Sequence, residues 1–153
     1  MDLIGELLGG GGSSRLFQTL VKEKKLFSNI ECYHFGSSDP GLLLIEGKLI
    51  KGTSMVSADE AVRQELEKLS TTTIEEKELM KVKNKTESAI LFEDMSLMNR
   101  ASNLAMYELM GDVAFMNTEL NKYMEVTTGE IRDLSSSIFD EKNSNSLFYY
   151  SNN

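Results

Sequence analysis

At 153 residues, with 41% apolar and 26% charged residues, the chain has the composition of one soluble globular domain or a piece of a larger one. A net charge of −8 excludes a general nucleic-acid binder and a polybasic membrane anchor, since both need a basic face. No apolar run approaches the roughly 20 residues of a membrane span, and the lone Cys32 leaves no internal disulfide.

The chain opens on "MDLIGELL", whose acidic residues and short apolar run are unlike a secretory signal. A signal borne by a longer parent leaves both the bacterial cytoplasm and the periplasm open. Four glycines follow, and then Leu16, Phe17, Leu20 and Val21 recur at helical spacing. The spacing predicts a helix from Ser13 or Ser14, either of which can cap it, to Lys25.

"FSNIECYHF" then switches to a period of two, with Ile30, Cys32 and His34 on one face and Glu31, Tyr33 and Phe35 on the other. "GSSDPG" is a turn cluster and "LLLIEGKLI" a second strand, so the pair reads as a hairpin. Beyond it the chain turns helical. Ser57 with Glu60, Thr73 with Glu76 and Thr127 with Glu130 each match a capping box.

The stripes behind these caps are Val62, Leu66 and Leu69, then Leu79, Val82, Thr86 and Ile90, then Ile131, Leu134 and Ile138. Met95, Met98, Ala101, Ala105 and Leu109 extend the long second helix to a stop at Gly111, after which Asp112 caps another through Phe115, Leu120 and Tyr123. "SLFYY" reads as a final aromatic strand. The fold class is α+β, with helices on one face of a mainly antiparallel sheet. Three strands are few for so much helix, so further strands are expected before residue 1 in a longer parent. With Pro40 the single proline, no internal boundary is visible: residues 1–150 read as one domain and residues 151–153 as a frayed tail.

Several constellations carry chemistry, and each has a plainer reading beside it. "GGGGSSRL" lacks the lysine of a phosphate-binding loop, and Ser14 stands where a dinucleotide motif needs its third glycine. A small anion held by helix N–H groups near Arg15 competes with a flexible, close-packed lead into a helix. His34 and Cys32 would supply two zinc ligands, but no other histidine or cysteine completes the set, and a core or hairpin histidine is preferred. No G-x-S-x-G elbow accompanies the serines. "IEEKELMKVKNK" reads as a solvated helix face. The methionines at 95, 98, 106, 110 and 116 read as core in preference to a pliable groove.

The succession "LLGGGGSSRLFQTLVKEKKLFSNIECYHFGSSDPGLLLIEGKL", "TTIEEKELMKVKNKTES", "NRASNLAMYELMGD" and "VTTGEI" resembles the C-terminal domain of insulinase/pitrilysin-like zinc peptidases, the group that includes mitochondrial processing peptidase. The likeness covers nearly the whole chain in the family's order. It implies a later part of a processing-peptidase-like metallohydrolase domain with no cofactor of its own. The family's zinc site, an inverted H-x-x-E-H motif, belongs to a separate N-terminal lobe. Partners implied are that zinc lobe and a peptide substrate, with a homodimer through an exposed sheet edge as a further expectation.

Active members add an arginine and a tyrosine seven residues apart. Alignment on "SSRLFQTL" puts Val21 and Ser28 there, so the auxiliary pair is absent as well. Gly9, Gly10, Gly11, Gly12 and Ser13 stand where the non-catalytic processing-peptidase subunit carries its substrate-recognising glycine-rich loop. The resemblance thus implies peptide contact at those five residues and no catalytic or metal-binding residue. Its runner-up is a catalytically inert structural or interaction subunit of the same fold.

Overall fold

In the computed structural model, residues 1–36 and 41–150 are described; the predicted turn tip at 37–40 and the tail at 151–153 lie outside them. The fold is α+β, and the chain forms two compact units, one of residues 1–74 with 128 onward and one of residues 75–127.

The first unit begins with a helix, α1 (Asp2–Gly9), that periodicity missed because its run is short and nearly all apolar. Leu3, Ile4, Leu7 and Leu8, at i, i+1, i+4 and i+5, are all buried. The helix predicted from Ser13 or Ser14 starts at Arg15 and winds as a π-helix over Phe17–Glu23, closing with Lys24 N–H to the Thr19 carbonyl at 2.8 Å. Leu16 and Leu20 point into the core, as their spacing predicts.

β1 (Phe27–Phe35) and β2 (Leu42–Leu49) form the predicted antiparallel hairpin, with Phe35 opposite Leu42 and a bulge between Phe27 and Asn29. Among the described residues the sheet has these two strands. "SLFYY" is no strand: Leu147 and Tyr149 are 94% and 85% exposed, and no neighbouring strand satisfies their backbone. High β-propensity does not form a strand without a ladder to join.

α2 (Met55–Thr71) is capped three residues ahead of the predicted Ser57, because Ser54 takes that role and its Oγ accepts from the Ser57 N–H at 3.5 Å. The buried face accordingly runs through Ala58, Ala61, Glu65 and Leu69, leaving Val62 and Leu66 half-buried. It packs on α6 (Thr128–Ile138), which starts one residue after Thr127, where the third capping signature puts it. In α6 the inner residues are Ile131 and Ser135, and the predicted Leu134 is exposed. Ser70 Oγ donates to the Ser135 carbonyl across this contact at 3.2 Å.

The Ser135 hydroxyl is fully buried with no hydrogen-bond partner. A buried polar group left unpaired costs about 1–3 kcal/mol. Ser135→Ala should therefore raise the unfolding free energy by roughly 1 kcal/mol, read as a higher urea midpoint; a lowered midpoint would show that the hydroxyl has a partner in solution.

The C-terminal segment is tied back onto α2. Arg63 donates to Asp59 at 2.9 Å, to Ser144 Oγ at 3.2 Å and to Ser146 Oγ at 3.1 Å, while Ser146 Oγ donates to Asp59 at 2.7 Å. Partial burial pushes the Asp59 carboxyl up, but the hydrogen bonds from Arg63 and Ser146 and the guanidinium charge outweigh it. Asp59 therefore sits below the usual carboxylate range. A lowered folded value contributes stability above the unfolded pKa of about 3.9 and loses it as pH falls through the folded value. The stability gap between the natural chain and Asp59→Asn should be constant above about pH 5 and close below about pH 4; a gap unchanged at pH 2.5 would contradict this.

In the second unit, α3 (Glu76–Glu93) is preceded by Glu75 at the N-cap, not by Thr73. It ends at Asp94, and a new helix, α4 (Leu97–Leu109), starts with Ser96 Oγ accepting from Asn99 N–H at 3.3 Å. The predicted continuous helix is therefore broken by a local cap. The stop at Gly111 holds, with φ of 88°. Asp112 caps as predicted, accepting from Ala114 N–H at 3.0 Å, but the following helix is split into a 3-10 turn, Val113–Asn117, and α5 (Glu119–Glu125).

Lys83, buried in α3, donates to the Met124 carbonyl at 2.7 Å. The methionines are not core: Met95, Met98, Met106 and Met110 are exposed, and no residue of α4 is buried. Their periodicity marks a face, and periodicity alone does not say what covers it.

Candidate functional site

The glycine stretch is both the end of α1 and the wall of a groove. Gly5 and Gly9, one turn apart on α1, lie against the backbone of β1. A Cβ on Gly5 would sit 3.4 Å from the His34 nitrogen, an ordinary contact. On Gly9 it would sit 2.0 Å from the Cys32 nitrogen, so only glycine fits there. Gly10 N–H closes α1 on the Glu6 carbonyl at 3.0 Å, and Gly11 then takes φ of 109°, in the left-handed region. Ser14 secures the turn from the other side by donating its N–H at 3.0 Å and its Oγ at 2.7 Å to the Gly11 carbonyl. The Gln18 side-chain amide donates to the Gly12 carbonyl.

This turn leaves a groove of about 420 Å³ lined by Gly9 to Gly12, Glu6 and Phe17 on one side and Asn29 to Tyr33 of β1 on the other. Four of the five expected contact residues, Gly9 to Gly12, therefore line one cavity. Ser13 is exposed beside them and is not part of the lining. A phosphate cradle is poorly served: Gly10 N–H bonds Glu6, and Gly11 N–H bonds the Gly9 carbonyl at 2.8 Å.

Glu6, Phe17, Asn29, Glu31 and Tyr33 are groove residues that motif reading passed over. The signal was available, because the period of two sets Glu31 and Tyr33 on the face opposite the buried Ile30 and Cys32. On this face Asn29 Nδ2 donates to Glu31 at 2.9 Å, and the Tyr33 hydroxyl is hydrogen-bonded to Glu46.

The other sequence candidates lie apart in role. Cys32 is buried, and burial pushes its thiol up to about 12, so it is a core group and no nucleophile at neutral pH. His34 Nδ1 lies 2.7 Å from Asp2 Oδ1, pinning the start of α1 to β1. Among the described residues no group of three histidine, cysteine or acidic side chains is placed to hold a metal. Nor is any helix there long and apolar enough to cross a membrane. Val21 is half-buried in the π-helix, and Ser28, exposed at the start of β1, donates to the Lys48 carbonyl at 3.0 Å.

Residues 1–86 match the family model described as the Peptidase M16 inactive domain. The chain is 26% identical over 140 residues to the uncharacterized zinc protease YmxG of Bacillus subtilis (strain 168), covering 91% of this chain and 34% of that protein. It thus spans about a third of the curated relative's length. In three dimensions it is similar to a protease from Helicobacter pylori, at 21% identity and a TM-score of 0.80, covering 89% of this chain and 33% of that one. It is also similar to the inactive peptidase domain of a Bordetella parapertussis protein, at 21% identity and a TM-score of 0.82, covering 93% and 77%. The close approach at Gly9, the hairpin and the helices behind it lie in a shared fold, and the chain belongs to the Peptidase M16 inactive domain family.

Proposed function

We propose that the chain is the non-catalytic lobe of a zinc-dependent peptidase, that it walls a substrate chamber, and that it holds peptide along the Gly9 to Ser13 loop. The zinc site then belongs to a separate lobe, where the metal would polarise the scissile carbonyl and activate water. The observation that carries this reading is the groove itself, in which a side-chain-free loop faces a strand across about 420 Å³. A peptide in that space meets the backbone of the glycine loop on one side and strand β1 at Asn29 to Tyr33 on the other.

Gly12 offers a clean test, because a Cβ there has only Phe17 Cε1 nearby, at 3.9 Å. Gly12→Trp should leave the fold intact and fill the groove. Fluorescence anisotropy of a labelled unstructured decapeptide should show binding to the natural chain and a loss of about ten-fold or more in the variant. Equal binding by both would overturn the assignment.

A second reading is a catalytically inert interaction subunit of the same fold. It is favoured by α4, which exposes Leu97, Met98, Met106 and Leu109 and buries nothing. The two-stranded sheet offers a further contact, since pairing of a second copy along it would give a dimer readable by sedimentation equilibrium.

A further inference from the structure

β2 is an open edge. α1 and the π-helical stretch pack on β1, whereas β2 pairs with β1 alone among the described residues, and none of its residues is buried. An unpaired edge strand offers a row of N–H and C=O groups to another chain, and proteins usually blunt it with proline, charge or a bulge. β2 has no proline, its charges Glu46 and Lys48 stand in its second half, and the bulge at Phe27/Asn29 lies toward that same end. Residues 42–45 are therefore an unguarded, uncharged edge. Beside it Phe35 and Leu42, directly opposite each other, leave an apolar patch exposed on the sheet face.

The same unit carries a segment with the opposite need. Asp59 and Arg63 hold the chain on α2 as far as Ser146, and Leu147, Phe148, Tyr149 and Tyr150 follow without regular structure, all four exposed. Among the described residues no hydrogen bond pairs their backbone. Four consecutive exposed apolar residues of high strand propensity are unusual on the surface of a monomer. As a strand they would set Leu147 and Tyr149 on one face and Phe148 and Tyr150 on the other, so one pair would lie beside Leu42 and extend its patch. Four residues of arm match four of edge, neither bears a charge, and a marginal two-stranded hairpin gains a third strand. The Ser146 tie keeps the arm on α2 of its own copy, unpaired with its own β2, so that edge stays open to the arm of another copy.

We propose a reciprocal arm exchange, in which residues 147–150 of one copy add as a third strand to the edge at residues 42–45 of a second copy, and the reverse. Two equal junctions close a two-fold dimer and leave neither β2 unpaired. This rests on the second reading above, in which sheet pairing joins two copies, and it names the segment that makes the contact.

Sedimentation equilibrium of the full chain should show a dimer. Leu147→Asp/Tyr149→Asp alters two side chains that are almost wholly exposed, so the fold should hold while the dimer dissociation constant rises about ten-fold or more. Leu42→Lys, at the open edge, should do the same. An equimolar mixture of these two variants keeps one sound arm and one sound edge, so it should associate more tightly than either variant alone. A mixture no more associated than its parts would overturn the exchange. A dimer that survives the arm variant but is lost in Leu42→Lys would overturn the arm's part and leave direct edge-to-edge pairing in place. A dimer insensitive to Leu42→Lys would overturn the assignment to β2. A natural chain that stays monomeric at millimolar concentration would remove both the exchange and the sheet contact.

Discussion

Gly9→Ala should lower the stability of the chain by about 3 kcal/mol or more, one of the largest effects of any single methyl group in it. The added Cβ meets Cys32 at 2.0 Å from its nitrogen, 2.5 Å from its Cβ and 2.6 Å from its Cα. Two of those atoms are backbone in a paired strand, so no rotamer change relieves the clash. α1 must lift from β1, and with it go the buried contacts of Leu7 and Leu8 and the near wall of the groove.

Gly5→Ala is the control. Its Cβ would lie 3.4 Å from the same strand, and alanine is about 1 kcal/mol better than glycine inside a helix. Urea denaturation should therefore separate the two variants widely; matching midpoints would mean that α1 does not lie on β1 as described.

The second large effect is expected at Leu20. It is fully buried in the π-helical stretch and packs from there toward β1. Leu20→Ala removes three heavy atoms from a packed interior, and such substitutions cost about 2–5 kcal/mol. Its neighbour Val21 is half-buried, so Val21→Ala should cost distinctly less. A near-neutral Leu20→Ala would place that side chain outside the core.

Much of this was legible in the sequence, and the misses have physical causes. The hairpin was visible because Ile30 and Cys32 alternate with Glu31 and Tyr33, and a half-buried strand requires that period. The α+β class, the buried thiol, the stop at Gly111 and the Asp112 cap follow from equally local rules.

What failed depends on distant groups. The cap moved from Ser57 to Ser54 because several hydroxyls compete for one helix start, and nothing local ranks them. The methionine stripe of α4 has the spacing of a core face yet lies exposed, because periodicity reports a face and not its partner. "SLFYY" carries strand propensity with no ladder beside it. For the site, the resemblance pointed to Gly9 to Ser13, and the structure brings Gly9 to Gly12 to a single groove. The strand segment across from them, Asn29 to Tyr33, joins the groove only because α1 packs beside β1, a long-range contact that no motif encodes.

The central claim, that this lobe holds peptide at the Gly9 to Ser13 loop without cutting it, is tested most directly by one ¹⁵N NMR titration. The chain is titrated with the unstructured decapeptide in the presence of equimolar zinc. Amide shifts should cluster at Gly9 to Ser13 and at Asn29 to Tyr33, while the peptide's own resonances stay those of an uncut chain. An unshifted loop, or cleavage products that vanish in His34→Ala, would contradict it.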